Sequence, residues 1–183
     1  MAVIIPGQSA ARNDSAAGSF VIDGSASFHQ GDTQYLYRTF GVNKSDYQKT
    51  FSFWVKKTDY ADTQCIFSTD VDGNIEGRLA FLSSDILQIT DRDSSSGSTD
   101  ADLQTNRVFR DSGWYHIVFA YDTPNATGGD RMKLYVNGVE QTSFGSDTNP
   151  AQAYAVSLFR SSALNYIACN DTADPLGAHL SQI

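Results

Sequence analysis

The chain has 183 residues, of which 40% are hydrophobic and 12% aromatic, which is enough apolar material for one substantial core. Its formal net charge is -8 and its 13 lysines and arginines form no run, which argues against nucleic acid as a partner. Because charged residues make up only 19% of the chain, uncharged polar residues must cover much of the surface.

Residues 1–17 are predicted to form an extended N-terminal arm, because after Pro6 they are mainly small and polar. The apolar run Val3–Ile5 ends at Pro6 and Gly7 with no basic residue before it. Such a run is too short for a signal peptide or a membrane span. We therefore expect folding in a cytosol, no membrane insertion, and an arm that serves attachment.

From Gly18 to Ile183 the sequence consists of short runs of β-branched and aromatic residues, separated by glycine, aspartate, asparagine and serine. This pattern is typical of a β-sandwich or barrel, and no stretch keeps helical spacing over three turns. Only two of the 21 acidic residues are glutamates, and the aspartates that supply the rest favour turns over helices. We predict a single all-β domain over residues 18–183.

The clearest predicted strand is Phe51 to Lys56, where every second residue is apolar. Phe51, Phe53 and Val55 would share one face, and Trp54 would lie on the other. That alternation indicates a sheet with one buried face.

Two predicted hairpins follow. Alternating apolar residues on both sides of Ser83–Asp85 indicate two strands joined by a turn, the first at Leu79–Phe81 and the second ending near Ile89. The pair Asn137-Gly138 is the stronger signal, because both central residues of a type I′ turn need positive φ. It follows an alternating run at 132–136, and we expect the returning strand at Val139–Phe144.

Trp114–Tyr121 is apolar almost throughout and predicts a central strand that is either buried on both faces or packed under a long loop. Later apolar runs predict three more strands, at Ala155–Arg160, Tyr166–Cys169 and His179–Ile183. A sandwich without its closing strand would expose a sheet edge. We therefore expect Ile183 to mark a boundary within a longer domain.

The chain has two cysteines, Cys65 and Cys169, which lie far apart and form no CxxC pair. Two cysteines are too few for a disulfide-dense secreted scaffold. Two alternatives stay open: a pair of buried thiols, or one disulfide bond.

Five segments carry a family resemblance by their order and spacing: Tyr35–Phe40 (YLYRTF), Thr50–Lys57 (TFSFWVKK), Cys65–Thr69 (CIFST), Asp111–Asp122 (DSGWYHIVFAYD) and Arg131–Gly138 (RMKLYVNG). They resemble the concanavalin A-like, laminin-G-like superfamily, in the form found in virion proteins of tailed bacteriophages. The resemblance implies a two-sheet antiparallel jelly-roll sandwich. In that family the sequence continues beyond LSQI into a final core strand, which implies that the domain at 18–183 is C-terminally truncated.

Catalytic residues are not predicted. Glycosidases of this fold carry a Glu-x-Asp-x-(x)-Glu strand that places an acid and a nucleophile across the scissile bond. The only glutamates, Glu76 and Glu140, lie far apart, and no G-x-S-x-G elbow or phosphate-binding glycine loop occurs. The three histidines are too scattered for a zinc site, and His116 is expected to be structural.

Calcium is the one candidate cofactor. Asp70, Asp72 and Asn74 offer oxygen ligands at alternate positions, and the resemblance implies calcium sites in such loops. The segment also falls where a hairpin turn is expected, so a solvated turn is the alternative. A second acidic cluster is expected to form an exposed loop, with a weaker case for calcium: Asp91, Asp93, Asp100 and Asp102.

Aromatic side chains are frequent partners of sugar rings, because their flat apolar faces contact sugar C–H groups. We expect Tyr35, Tyr37, Trp54 and Tyr60 near the surface as candidate glycan contacts, together with Tyr47. For Trp54 a position in the sandwich core is the alternative.

The resemblance, the missing catalytic carboxylates and the arm lead to one functional hypothesis. We expect a non-enzymatic virion protein of a tailed bacteriophage, in the tail fibre or associated with the tail, that docks to other virion proteins or recognises host-surface glycan. We also expect a homo-oligomer, either a trimer or ring-bound copies, that gains avidity from several weak sites. Two alternatives stay open: a capsid decoration protein whose arm threads between capsid subunits, and a calcium-dependent lectin.

Overall fold

The structure is a computed structural model that describes residues 24–41, 45–71, 75–93, 98–171 and 173–183. The predicted arm and two predicted calcium ligands, Asp72 and Asn74, lie outside these residues. Within them the helical content is two short 3-10 turns, at Gln30–Asp32 and Gly128–Asp130. No helix in the described ranges is long and apolar enough to cross a membrane.

In the described part of the chain, the strands are β1 (Ala26–Phe28), β2 (Leu36–Thr39), β3 (Gln48–Lys57), β4 (Gln64–Asp70), β5 (Ile75–Phe81), β6 (Ile86–Asp93), β7 (Ser98–Val108), β8 (Tyr115–Asp122), β9 (Met132–Val136), β10 (Val139–Glu140), β11 (Phe144–Thr148), β12 (Leu164–Ile167) and β13 (Ala178–Ser181). One sheet has the order β1-β13-β3-β8-β9-β10, and the other has the order β11-β7-β6-β5-β4-β12-β2. Both sheets are antiparallel, which confirms the predicted all-β sandwich.

Alternation along each strand builds the core between the two sheets. In β3, Phe53 and Val55 have no exposed surface, whereas Trp54 and Lys56 are half-buried and point away from the core. This confirms the prediction of one buried face. Each fully buried aliphatic or aromatic side chain stabilises the fold by roughly 1.5–3 kcal/mol.

Strand β8 lies between β3 and β9, as predicted for a central strand. Tyr115, Ile117 and Phe119 are buried, but the residues between them are only half-buried, so the prediction of burial on both faces is wrong. The outward residues include Val118 and Ala120. Their apolar side chains make the sequence of the strand almost continuously apolar, although its outer face is not fully buried.

Both predicted hairpins form. Strands β5 and β6 pair with Leu79 opposite Ile89, and Asn137 and Gly138 have φ angles of 53° and 77°. The returning strand predicted at Val139–Phe144 is too long, because only β10 pairs with β9. The chain then crosses to the other sheet, where β11 pairs with β7.

The segment Ala155–Arg160 is a loop, so the strand predicted there is wrong. Its apolar residues join the core, but no neighbouring strand in the described residues pairs with its backbone. The Val156 N–H donates to the Asp46 carbonyl oxygen at 2.7 Å, and side chains make most of the other long-range bonds. The Thr69 Oγ1 atom accepts the Phe159 N–H at 2.6 Å, and Lys49 Nζ donates to two carbonyl oxygens of the segment at 3.0 and 3.3 Å. An apolar run indicates burial in the sequence, but it does not reveal which groups satisfy the backbone.

Asp91 is the main anchor of this loop. It has no exposed surface, and its carboxylate accepts hydrogen bonds from the Ser157 N–H, the Ser157 hydroxyl and the Tyr154 hydroxyl, each at 2.8 Å. All four aspartates of the second acidic cluster lie in the paired strands β6 and β7, so the exposed loop predicted for them is wrong.

Cys65 and Cys169 are both buried free thiols, which confirms that alternative over the disulfide. The Cys65 thiol donates to the Phe67 carbonyl oxygen at 3.3 Å. Burial raises the pKa of this thiol, so it stays protonated and unreactive in the folded protein.

Strand β13 lies between β1 and β3, but it pairs with β3 only over Trp54–Lys57. Residues 48–53 of β3 extend past the end of β13. A cleft of about 430 Å³ opens there, lined by Thr50, Phe51, Ser52, Phe67, Phe159 and Ile183. That a further core strand follows Ile183 stays a prediction.

Candidate functional site

Three tyrosine rings cluster on the outer face of the seven-stranded sheet, near its β2 edge. Tyr166 of β12 stands opposite Tyr37 of β2, and it faces outward because its neighbour Ile167 packs against the core. The ring centroids of Tyr35, Tyr37 and Tyr166 are 5.9 to 6.3 Å apart. Tyr37 is 66% exposed and Tyr166 only 6%, so an accessible ring lies on a fixed base. We call these three residues the tyrosine platform.

Asp171 holds the buried member of the platform. The Tyr166 hydroxyl donates to Asp171 Oδ1 at 3.0 Å. Burial and then the Asp171 carboxylate raise the pKa of Tyr166 to about 12, so the phenol stays protonated at neutral pH. Asp171 is itself exposed, which places a hydrogen-bond acceptor beside the platform.

Polar side chains continue from the platform across the same face. Ser68 of β4 is the register partner of both Tyr166 and Arg78, so Arg78 lies two strands from the platform, about 10 Å away. The Arg78 guanidinium donates to Asp174 at 3.2 Å, and this ion pair is partly exposed.

Hydrogen bonds link Arg78 to three further side chains. Arg78 donates to Gln88 Oε1 at 3.3 Å, and Gln88 Nε2 donates to Asp102 Oδ1 at 2.8 Å. Gln104 Nε2 donates to the other oxygen of Asp102 at 2.9 Å. We call Arg78, Gln88, Asp102 and Gln104 the polar strip. Because each member constrains the next, the strip presents donors and acceptors in a fixed arrangement.

The platform and the strip together suit a carbohydrate. Tyrosine faces pack against the C–H faces of a sugar ring, while guanidinium, amide and carboxylate groups pair with its hydroxyls. From β2 to β7 the face spans five strand spacings, or about 24 Å. That length accommodates an oligosaccharide of several residues.

The four predicted glycan contacts lie in three separate places. Tyr35 and Tyr37 meet in the platform, whereas Trp54 lies on the outer face of the six-stranded sheet, stacked on His116 at 4.9 Å. The alternative of a core position for Trp54 is therefore wrong. Tyr60 follows β3, and its ring centroid lies 5.2 Å from Lys57 Nζ.

The predicted calcium ligands are described only in part. Asp70 ends β4, and Asp72 and Asn74 lie outside the described residues. Across the described ranges, no three His, Cys, Asp or Glu side chains come together as a metal site. Calcium at Asp70, Asp72 and Asn74 stays a prediction.

The two glutamates do not form an acid pair. Glu76 lies on β5, where its carboxylate binds Arg92 at 2.6 Å. Glu140 lies on β10 in the other sheet and binds Lys133 at 3.1 Å. The two glutamates therefore do not share one strand, as the acid and the nucleophile do in the glycosidase pattern.

The sequence does not predict Tyr166 and Asp171 as site residues, nor three members of the polar strip, Arg78, Gln88 and Gln104. Asp102 was considered only for calcium. Tyr166 was placed on a strand, but nothing in the sequence indicated that this strand pairs with β2 rather than with a neighbour in the chain. The available signal was the alternation of residues within each strand, which places both Tyr37 and Tyr166 on the outward face.

The fold and this face define a lectin-like jelly-roll domain. The family model Laminin_G_3, described as the concanavalin A-like lectin/glucanases superfamily, matches residues 13–173. The chain belongs to this family. A comparison with curated proteins finds no match.

Solved structures share the fold at low sequence identity. Mouse laminin alpha1 chain, domains LG4-5, superposes with a TM-score of 0.60 at 10% identity, over 90% of this chain and 43% of the laminin chain. The heptameric SAP-like pentraxin of Limulus polyphemus gives 0.55 at 17% identity, over 85% and 71% of the two chains. The CBM40 of Ruminococcus gnavus IT-sialidase, bound to alpha2,3 sialyllactose, gives 0.53 at 15% identity, over 75% and 76%. The chain thus spans less than half of the laminin chain.

Proposed function

We propose that this chain is the recognition domain of a non-enzymatic virion protein of a tailed bacteriophage, in the tail fibre or attached to the tail, and that it binds host-surface glycan. The virion setting is supported by five segments between Tyr35 and Gly138 that resemble laminin-G-like domains of such virions. Copies in a trimer or a ring, docked to other virion proteins, would gain avidity from several weak sites.

The observation that carries glycan binding is the tyrosine platform beside the polar strip. An exposed Tyr37 ring, held by two neighbouring rings about 6 Å away, leads directly to charged and amide groups on the same face. A carbohydrate-binding neighbour of the same fold, the CBM40 with sialyllactose, shows that this architecture can serve sugar recognition.

The proposal that the domain is not an enzyme is supported by its carboxylates. Glu76 and Glu140 are on opposite sheets, and the buried Asp91 carboxylate accepts hydrogen bonds from the loop at 154–158. If the purified chain released reducing ends from any polysaccharide that it binds, this part of the proposal would be wrong.

The binding test uses an array of bacterial capsular polysaccharides and lipopolysaccharide O-antigens. The wild-type chain should bind a defined subset, and Tyr37→Ala and Tyr35→Ala should each weaken that binding about tenfold. The control is Tyr47→Ala, since Tyr47 is similarly exposed, at 44%, but lies next to β3 on the other sheet. Equal binding by all three variants would contradict glycan binding at the tyrosine platform.

Two further measurements separate the alternatives. Binding abolished by EDTA and restored by Ca²⁺ would favour a calcium-dependent lectin, with Asp70, Asp72 and Asn74 as the first ligands to substitute. Immunogold labelling of assembled particles should place the chain on the tail. Labelling spread over the head would instead indicate a capsid decoration protein.

A further inference from the structure

The outer face of the six-stranded sheet carries a second aromatic cluster, on the opposite side of the sandwich from the platform. The Trp54 and His116 rings are stacked, with centroids 4.9 Å apart and an interplanar angle of 27°. The Trp114 and His179 rings are 6.3 Å apart. All four side chains are half-buried, so each keeps part of its surface accessible.

A lysine lies among these rings. Lys56 on β3 is the register partner of His179 on β13, and Trp114 directly precedes the β8 residue that pairs with Val55. Lys56 therefore lies on the strand between Trp114 and His179, and these two rings approach each other over its position. Among the residues that the structure describes, Lys56 has no carboxylate partner.

The acidic residues on the strands of this sheet lie away from Lys56, although the chain carries a formal charge of -8. The six strands contain two acidic residues, Asp122 and Glu140. Asp122 is the register partner of Gln48. Gln48 lies eight residues from Lys56 along β3, a distance of about 26 Å. Glu140 lies three strands from β3, about 14 Å away, where it is neutralised by Lys133.

Acidic loop residues near this end of the sheet have other contacts. Asp59 lies against Gly177 and accepts a hydrogen bond from the Thr58 hydroxyl at 3.1 Å. Asp111 accepts one from the Tyr115 hydroxyl at 3.0 Å, and Tyr115 belongs to the core. Among the lysines on the described strands of this sheet, Lys56 is the one without a carboxylate partner, so its ammonium is available to a ligand.

We propose that this aromatic face, formed by Trp54, Lys56, Trp114, His116 and His179, is a second binding site that takes an anionic saccharide. Flat indole and imidazole rings receive the apolar faces of sugar rings. The Lys56 ammonium supplies a point charge for a carboxylate or sulfate, and the His179 imidazole adds a hydrogen-bonding group. His116 Nε2 already lies 3.1 Å from the Ser52 hydroxyl oxygen, so this ring contributes mainly its face. The site is independent of the tyrosine platform, because it lies on the other sheet.

The chain contains two tryptophans, and both lie on this face. Tryptophan fluorescence therefore reports a ligand here and is insensitive to one at the tyrosine platform. We would titrate the chain with a hexamer of galacturonic acid, and with maltohexaose as a neutral probe of the same length. The anionic hexamer should give a saturable change in emission, and maltohexaose should not.

Charge removal tests the role of Lys56. Lys56→Gln should weaken binding of the galacturonate hexamer about tenfold, which corresponds to about 1.4 kcal/mol. The matched control is Lys133→Gln, which removes the same charge from the outer face of the same sheet, at a lysine already paired with Asp130 and Glu140. It should leave the affinity unchanged, as should Tyr37→Ala.

Further probes define the ligand class. A heparin-derived hexasaccharide compared with the galacturonate hexamer distinguishes sulfate from carboxylate as the preferred anion. Poly-glutamate should bind more weakly than either. The proposal is overturned if neither anionic saccharide binds, if maltohexaose or poly-glutamate binds equally well, or if the two lysine variants behave alike. Because Tyr37→Ala is tested in parallel, failure here is distinct from failure of the platform.

Discussion

The Lys57 ammonium and the Asp85 carboxylate form an ion pair at 2.6 Å in which neither side chain has any exposed surface. Lys57 ends β3, and Asp85 lies in the turn between β5 and β6, so the pair joins the two sheets. Asp85 also accepts hydrogen bonds from Arg110 Nε at 2.6 Å and the Ala61 N–H at 3.1 Å. Burial alone would raise the pKa of Asp85, but these hydrogen bonds outweigh it and hold that pKa below its usual value.

Removing Lys57 should strongly destabilise the fold. Lys57→Met leaves the Asp85 charge buried with a weakened set of partners, and we expect a loss of about 3 kcal/mol in the free energy of unfolding. Urea denaturation followed by circular dichroism measures it. The control is Lys56→Met, one residue earlier but facing outward, which should change stability by less than about 0.5 kcal/mol. Equal effects of the two substitutions would show that the buried pair has no special role.

Asp91 should make stability depend on pH. Burial raises its pKa from 3.8 to about 6, despite hydrogen bonds that act in the opposite direction. The folded state therefore binds this proton more tightly than the unfolded state, so stability increases as pH falls from 6 towards 3.8. The stability of the wild type relative to Asp91→Asn should be about 2 kcal/mol greater at pH 4 than at pH 7.

The pH dependence is measured by urea denaturation at intervals between pH 4 and 7. Asp147→Asn is the control, since it removes the same charge from an exposed aspartate. A difference between wild type and Asp91→Asn that does not vary with pH would mean that Asp91 is not buried as a carboxylate in the folded protein.

Gly77 should not tolerate a side chain. A Cβ atom at this position would overlap the backbone of Leu158, with its Cα only 2.7 Å away. Gly77→Ala should therefore displace the loop at 154–160 and cost about 1–3 kcal/mol. Gly113→Ala, where a Cβ would meet nothing within 4 Å, is the control and should be nearly neutral. Thermal unfolding of both variants checks this, and a Gly77→Ala protein as stable as Gly113→Ala would contradict the packing.

The sequence predicts the strands that have strict alternation or a specific turn. Phe53 and Val55 identify the buried face of β3, and Asn137-Gly138 identifies the β9–β10 hairpin, because each signal arises within a few residues. The strand predicted at 155–160 is wrong because the corresponding signal there is not local. Its backbone partners, Thr69 and Asp91, lie far away in sequence, and no local pattern reveals them.

The candidate site was predicted only in part for the same reason. Tyr35 and Tyr37 were identified as surface aromatics, but the platform also needs Tyr166, which β12 brings beside β2 through long-range pairing. The prediction that Trp54 lies near the surface is confirmed, yet this residue belongs to the opposite sheet. Residue type and strand parity are local properties, whereas the grouping of residues into a site depends on sheet order.

The most direct test of glycan recognition is to map the bound glycan by NMR. The chain would be titrated with the glycan that gives the strongest array signal, and amide chemical shifts would be followed residue by residue. The largest changes should fall on Tyr37, Tyr166 and Arg78, with Tyr35→Ala/Tyr37→Ala abolishing them. Changes confined to other surfaces, or unaltered in the double variant, would contradict recognition by the tyrosine platform.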